Sequence, residues 1–98
     1  MFDKLKDVWA MQKKMQEMKR ELENTFFDVT SSDGAIKITM NGSQEVKSLE
    51  LLKEPADFKK SNLENSLKEA YNKAIRRSHE VAAEKMKSIA GFNLPGLT

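Results

Sequence analysis

Apolar residues along this chain change their spacing twice, and the changes divide it into a helix, a β-meander and a second helix. In residues 2–24 Val8, Met11, Met15, Met18 and Leu22 recur at alternating intervals of three and four. That is the seam of an amphipathic helix. The segment holds no Gly or Pro and is rich in Lys, Glu, Met, Gln and Leu, all good helix formers. It would be roughly 35 Å long. From residue 26 the period drops to two. Phe27 and Val29 alternate with polar neighbours, Ser31-Ser32-Asp33-Gly34 supplies a turn, and Ile36, Ile38 and Met40 alternate with Lys37 and Thr39. This is the pattern of half-buried strands. Asn41-Gly42 predicts a hairpin turn with positive φ at both residues. A third strand covers about 45–51, where the parity of Val46 against Leu49 and Leu51 slips. Either a bulge lies at Lys47-Ser48 or Val46 faces away from the other two.

Pro55 ends the sheet segment, and 56–61 has room for a short helical turn. A second long helix is expected from about 62 to 90, with Ser61 or Asn62 as its cap and Gly91 as its stop. Its apolar residues, among them Leu63, Leu67, Ala70, Tyr71, Ala74, Ile75, Val81 and Met86, span roughly 160° of its circumference. Such a band is wide enough to pack on a sheet and on another helix. The tail, residues 91–98, reads as irregular. The expected fold class is α+β, in a single domain over 1–98.

Composition narrows the function classes. Of the 98 residues 39% are hydrophobic and 33% charged, which makes a small core and favours burial of apolar faces against a second copy. There is no run of ~18 apolar residues to span a membrane, and the first residues lack the apolar core of a signal peptide. The chain has no Cys and one His, His79. Disulfides, thiolate metal sites and Cys nucleophiles are thereby excluded, and multi-histidine metal centres with them. Neither a glycine-rich phosphate loop nor a G-x-S-x-G elbow occurs. The expectation is no enzyme, no cofactor, no metal and no small-molecule substrate.

Charge is informative in its distribution. Residues 1–24 carry six basic and five acidic groups, residues 25–55 three and five, and residues 56–98 eight and five. Basic charge therefore lies on the helices. Lys6, Lys13 and Arg20 repeat every seven residues opposite the apolar seam, and Lys73, Arg76 and Arg77 form a basic triangle on the second helix. Two readings stand. These are helix surfaces that follow phosphates, or they are solvated faces laced by pairs such as Glu69–Lys73 and Arg76–Glu80 at i,i+4. The stripe Met11, Met15, Met18 is either a dimer seam or an adaptable binding groove. Trp9 lies beside that seam, where packing is the default and stacking the alternative.

The order of these elements, with its residues, resembles the YbaB/EbfC family of bacterial nucleoid-associated proteins. The matching pieces are Met11-Gln12-Lys13-Lys14-Met15-Gln16-Glu17-Met18, Gly34-Ala35-Ile36-Lys37-Ile38-Thr39-Met40-Asn41-Gly42, Leu49-Glu50-Leu51, Ala70-Tyr71-Asn72-Lys73-Ala74-Ile75-Arg76-Arg77, Glu84-Lys85-Met86 and Leu94-Pro95-Gly96. The resemblance implies a cytoplasmic, tweezer-like homodimer that binds duplex DNA with loose or no sequence preference, in nucleoid organisation and gene regulation. On that reading the DNA-contacting residues are Lys6, Lys13, Lys14 and Arg20 on the first helix and Lys73, Arg76 and Arg77 on the second. Met11, Met15 and Met18 are the expected dimer seam. The contrasting reading is a protein-interaction module whose helix faces bind a replication or recombination partner.

Overall fold

The computed structural model describes residues 2–90; the expected stop at Gly91 and the tail 91–98 lie outside them. The elements run α1 (Phe2–Glu23), β1 (Phe26–Thr30), β2 (Ile36–Asn41), β3 (Val46–Leu51), a 3-10 turn (Pro55–Asp57) and α2 (Lys60–Ala90). The three strands form one antiparallel sheet in the order β1-β2-β3. This is the α+β arrangement that the change of period predicts.

β2 is the centre of the core because its alternation is strict. Ile36, Ile38 and Met40 are all buried, with Val29 of β1 beside them and Ala70 and Ala74 of α2 above. The parity slip in β3 resolves as a bulge. Thr39 pairs with Ser48 and Met40 with Val46, so Lys47 is the extra residue. Val46, Leu49 and Leu51 thus stand opposite Met40, Ile38 and Ile36 on one face.

α2 starts at Lys60, two residues earlier than expected. The Leu63 amide donates to the Lys59 carbonyl at 3.0 Å, so Ser61 and Asn62 lie inside the first turn rather than capping it. Its sheet-facing stripe is also narrower than the apolar band, and is built of small residues: Ser66, Ala70, Ala74 and Ser78, all buried. Leu67 and Tyr71, 40% and 46% exposed, lie off that stripe. Small side chains let the helix axis approach the sheet closely, which Leu at those positions would prevent.

The Asn41-Gly42 turn departs from expectation. Neither residue has positive φ; Gln44 does, at 65°. The Gln44 amide donates to the Asn41 carbonyl at 3.2 Å and the Asn41 amide to the Glu45 carbonyl at 3.0 Å. This is a three-residue loop, a tight turn followed by one left-handed residue. Asn41 acts through its side chain instead. Its Oδ1 accepts from the Ser43 and Glu45 amides at 3.0 and 2.9 Å, and its Nδ2 donates to the Glu23 carbonyl at 3.1 Å. Gly42 is required by proximity, since a Cβ there would sit 2.8 Å from Leu22 Cδ2.

That turn is also where α1 is anchored. A helix C-terminus leaves its last carbonyls without partners. Here Glu21 O accepts from the Thr25 hydroxyl at 2.6 Å, Leu22 O from the Gly42 amide at 2.9 Å, and Glu23 O from Asn41. Most of α1 is exposed beyond this attachment. The molecule measures 66 × 25 × 17 Å with a radius of gyration of 18.5 Å, against about 13 Å for a compact domain of this length. The helices are arms on a small β body.

Candidate nucleic-acid interface

α1 carries its cations outward because only its C-terminal end is held, against α2 and the Asn41-Gly42 turn. Lys6, Lys13, Lys14 and Arg20 are all exposed. None of them forms an ion pair among the described residues. Gln16, Lys19, Arg20 and Glu23 line a shallow hollow on the same arm, so Lys19 joins the set that sequence spacing missed. An ion pair between the two helices, where they pack together, joins Lys85 Nζ to Glu21 Oε1 at 3.3 Å. It is half-exposed, and exposed pairs contribute about 0–1 kcal/mol.

The three α2 cations do three different things. Lys73 Nζ donates to the Thr30 carbonyl at 3.0 Å and thereby ties the helix to the end of β1. Arg77 Nη1 lies 3.0 Å from Glu80 Oε2 and 3.6 Å from Glu84 Oε1, so two carboxylates offset its charge. Arg76 is exposed, with no ion-pair partner among the described residues. The expected Arg76–Glu80 pair is therefore an Arg77–Glu80 pair at i,i+3. Glu69 does not bridge to Lys73 either; it accepts from the Ser32 amide at 2.7 Å. The Ser32 hydroxyl first, then that amide, and more weakly the nearby Lys73 ammonium hold its carboxyl below the usual range.

A second group escaped the sequence reading. Asp33, in the β1–β2 turn, accepts from the Ser31 hydroxyl at 2.5 Å, from the Ser66 hydroxyl of α2, and from the Ala35 amide at 3.0 Å. Those bonds, in that order of weight, lower its pKa from 3.8 to about 2. Gly34 completes the turn at φ 74°. At the other end of the sheet Ser78, fully buried, donates to the Asn41 and Gly42 carbonyls at 3.3 and 3.1 Å. Serines 66 and 78 thus pin α2 to both turns. A local signal exists for the Asp33 turn, but nothing near Ser66 or Ser78 in sequence points to a carbonyl or carboxylate some 35 residues away. His79 is exposed and its Nε2 lies 2.8 Å from Gln44 Nε2.

Among the described residues no group of three or more His, Asp or Glu side chains could hold a metal ion. None of the described helices is long and apolar enough to cross a membrane. The arrangement presents a row of unpaired cations on a projecting helix, which is suited to polyanion binding.

The family profile described as "YbaB/EbfC DNA-binding family" matches residues 1–93. The chain belongs to the YbaB/EbfC DNA-binding family. Similar relatives include a nucleoid-associated protein of Syntrophobacter fumaroxidans, 34% identical over 98% of this chain and 89% of its own. Another from Dictyoglomus thermophilum is 33% identical over 96% and 92%, and one from Clostridium acetobutylicum 30% identical over 95% and 85%. Among solved structures, an uncharacterised protein of Helicobacter pylori has the same fold, with a TM-score of 0.67 over 92% of each chain at 20% identity. All seven basic candidates fall within the span that matches the YbaB/EbfC profile.

Proposed function

We propose that this YbaB/EbfC protein binds duplex DNA as a homodimer, mainly through phosphate contacts and with loose or no sequence preference. Its place would be the cytoplasmic nucleoid, in nucleoid organisation and gene regulation. The observation that carries this reading is the set of unpaired cations on the outer side of α1, Lys6, Lys13, Lys14 and Arg20, in a chain of a DNA-binding family. On α2 Arg76 adds a further cation, Lys73 a partly engaged one, and Arg77 one already shared with two carboxylates. Lys and Arg on phosphate release condensed counterions, which supplies affinity without reading bases. The net charge of +2 per chain points to weak binding, with Kd in the range of ~10⁻⁴ to 10⁻⁶ M at physiological salt.

Self-association is supported by apolar surface left uncovered in a single chain. Met11 and Met15 are 60% and 61% exposed and Met18 is half-buried. A second apolar surface, a groove of ≈ 470 Å³ between β3 and α2, is lined by Val46, Leu49, Leu67 and Tyr71 among others. The same exposure supports the contrasting reading, an interface for a protein partner in replication or recombination. Charge reversal separates the two. With random-sequence duplex, Lys13→Glu/Arg20→Glu should weaken binding to every sequence alike and flatten the salt dependence by about 0.9 log unit per lost contact. Arg76→Glu/Arg77→Glu should act in the same direction, with most of the loss traceable to Arg76. Binding by all variants equal to the parent, or insensitive to salt, would remove the phosphate mechanism and leave the protein-partner reading.

A further inference from the structure

Trp9 is 75% exposed, more than any other large apolar side chain among the described residues. A tryptophan left in water on a helix invites a reason, because its ring loses more than any other side chain by staying solvated. Its position on α1 supplies one. At 100° per residue Trp9 lies about 140° from the centre of the Val8–Met11–Met15–Met18 seam, across the helix rather than beside the seam as its place in the sequence suggests, so a partner packed along that seam would not cover it. The same arithmetic places Lys6, Lys13 and Arg20 within about 60° of Trp9, all to one side. Lys6 precedes the indole by about 4.5 Å along the axis and Lys13 follows it by about 6 Å. The indole therefore borders the basic row that the proposed function uses, at the same height on the helix.

Its faces are open. Where a cation does stack on an aromatic ring among the described residues, it is Lys47 over Phe26 at 4.5 Å; neither Lys6 nor Lys13 occupies the Trp9 ring. A strand whose phosphates rest on Lys6 and Lys13 passes alongside the indole, with its bases within reach of the ring. What that ring can grip depends on the state of the bases. In an intact duplex each base has both π-faces covered by its neighbours and offers only edges in the grooves. A single strand, or a base displaced from its stack, exposes a whole face to an aromatic side chain, and every base has such a face.

We infer that Trp9, framed by Lys6 and Lys13 on α1, is a base-stacking contact that gives this protein a preference for DNA with unpaired bases over intact duplex. This rests on the reading of α1 as the phosphate-binding arm, and goes beyond it in naming the form of DNA selected. The preference is sequence-tolerant, because stacking does not read hydrogen-bonding edges.

The chain contains one Trp, so its fluorescence reports position 9 alone. The experiment titrates the full chain with an unstructured single-stranded oligonucleotide and with a duplex of equal length. Anisotropy of a label on the DNA measures binding, and tryptophan emission is followed in parallel. Single strand should bind about tenfold more tightly than duplex, with indole emission quenched as it binds. Trp9→Ala, at a position where Ala is the better helix former, should abolish the preference and leave duplex affinity and its salt slope unchanged. Trp9→Tyr should retain most of the preference and Trp9→Leu should not. Single strand that binds by anisotropy while emission and quencher access stay those of the free protein would overturn the inference, with duplex binding still standing. An indole already shielded in the DNA-free protein, in a concentration-dependent way, would overturn it too by making Trp9 a contact between copies. Failure of both DNA forms to bind would sink the phosphate reading itself.

Discussion

Gly42 has no room for a side chain, and the reason is contact rather than backbone angle. Leu22 Cβ and the Leu22 carbonyl both lie 3.2 Å from where its Cβ would be, and Leu22 Cδ2 lies at 2.8 Å. Gly42→Val should therefore destabilise by about 1–3 kcal/mol, the usual cost of overpacking, read as a lower urea midpoint. Combining it with Leu22→Ala should recover part of that loss. Gly34 is the converse case. Its φ is 74° with nothing within 4 Å, so Gly34→Ala should cost about 1 kcal/mol through the backbone alone, and Leu22→Ala should not rescue it. Asp33 gives a pH signature. Its pKa is about 2 folded against 3.8 unfolded, so the folded state holds the proton less tightly. The stabilisation is complete above the unfolded pKa and is lost as pH falls from 3.8 through about 2. Glu69 shifts in the same direction. Asp33→Asn should flatten the acid limb of a stability-versus-pH curve in that window; an unchanged limb would mean that the Ser31 and Ser66 bonds do not form in solution.

At the scale of elements, α2 is the member that organises the fold. It lies on β1 and β2 through Ala70 and Ala74 and is pinned at two points twelve residues apart, Ser66 and Ser78. Ser78 satisfies two carbonyls of the turn that also caps α1, so one buried hydroxyl links three elements. Ser78→Ala should cost about 1 kcal/mol for the lost bonds. Ser78→Leu should cost more, ~1–3 kcal/mol, because a fully buried site without space must open. Hydrogen exchange should show the added opening in α1's last turn as well as in α2. Loss of protection confined to α2 would mean that the turn holds α1 independently. The seam of α1, by contrast, is visible in sequence as heptad spacing, yet within one chain it has nothing to bury against beyond its C-terminal end.

For the whole molecule the elongated shape decides what can reach DNA. Helices of about 33 and 46 Å carry most of the basic side chains; those of α1 project away from the mildly acidic sheet, while Lys73 of α2 stays engaged with β1. An exposed Met seam and an uncovered groove beside β3 leave two apolar surfaces for a second copy. Sedimentation at micromolar concentration should give twice the 11.2 kDa chain mass. Met15→Glu and Leu49→Glu, made singly, should identify the shared surface by which of them yields a folded monomer. A parent that sediments as a monomer would remove the two-armed dimer from the binding mechanism.

The sequence by itself determined the elements and their order, since a hydrophobic period of 3.6 or 2 dictates which face a helix or strand can bury. It put Ile36, Ile38 and Met40 on the buried face of one strand, and it narrowed the β3 irregularity to two alternatives around Lys47. Its motifs also sufficed to recognise the family. What only the tertiary structure decided are the contacts between segments distant in the chain. Ser66 and Ser78 carry no hydrophobic signal, yet with Ala70 and Ala74 they set how closely α2 approaches the sheet. Asn41-Gly42 reads locally as a positive-φ turn, but the approach of Leu22 assigns Gly42 its role and Gln44 takes the left-handed conformation. The same holds for charge. Lys73, Arg76 and Arg77 are equivalent as letters, and only the positions of Thr30, Glu80 and Glu84 around them leave Arg76 as the cation whose full charge faces solvent.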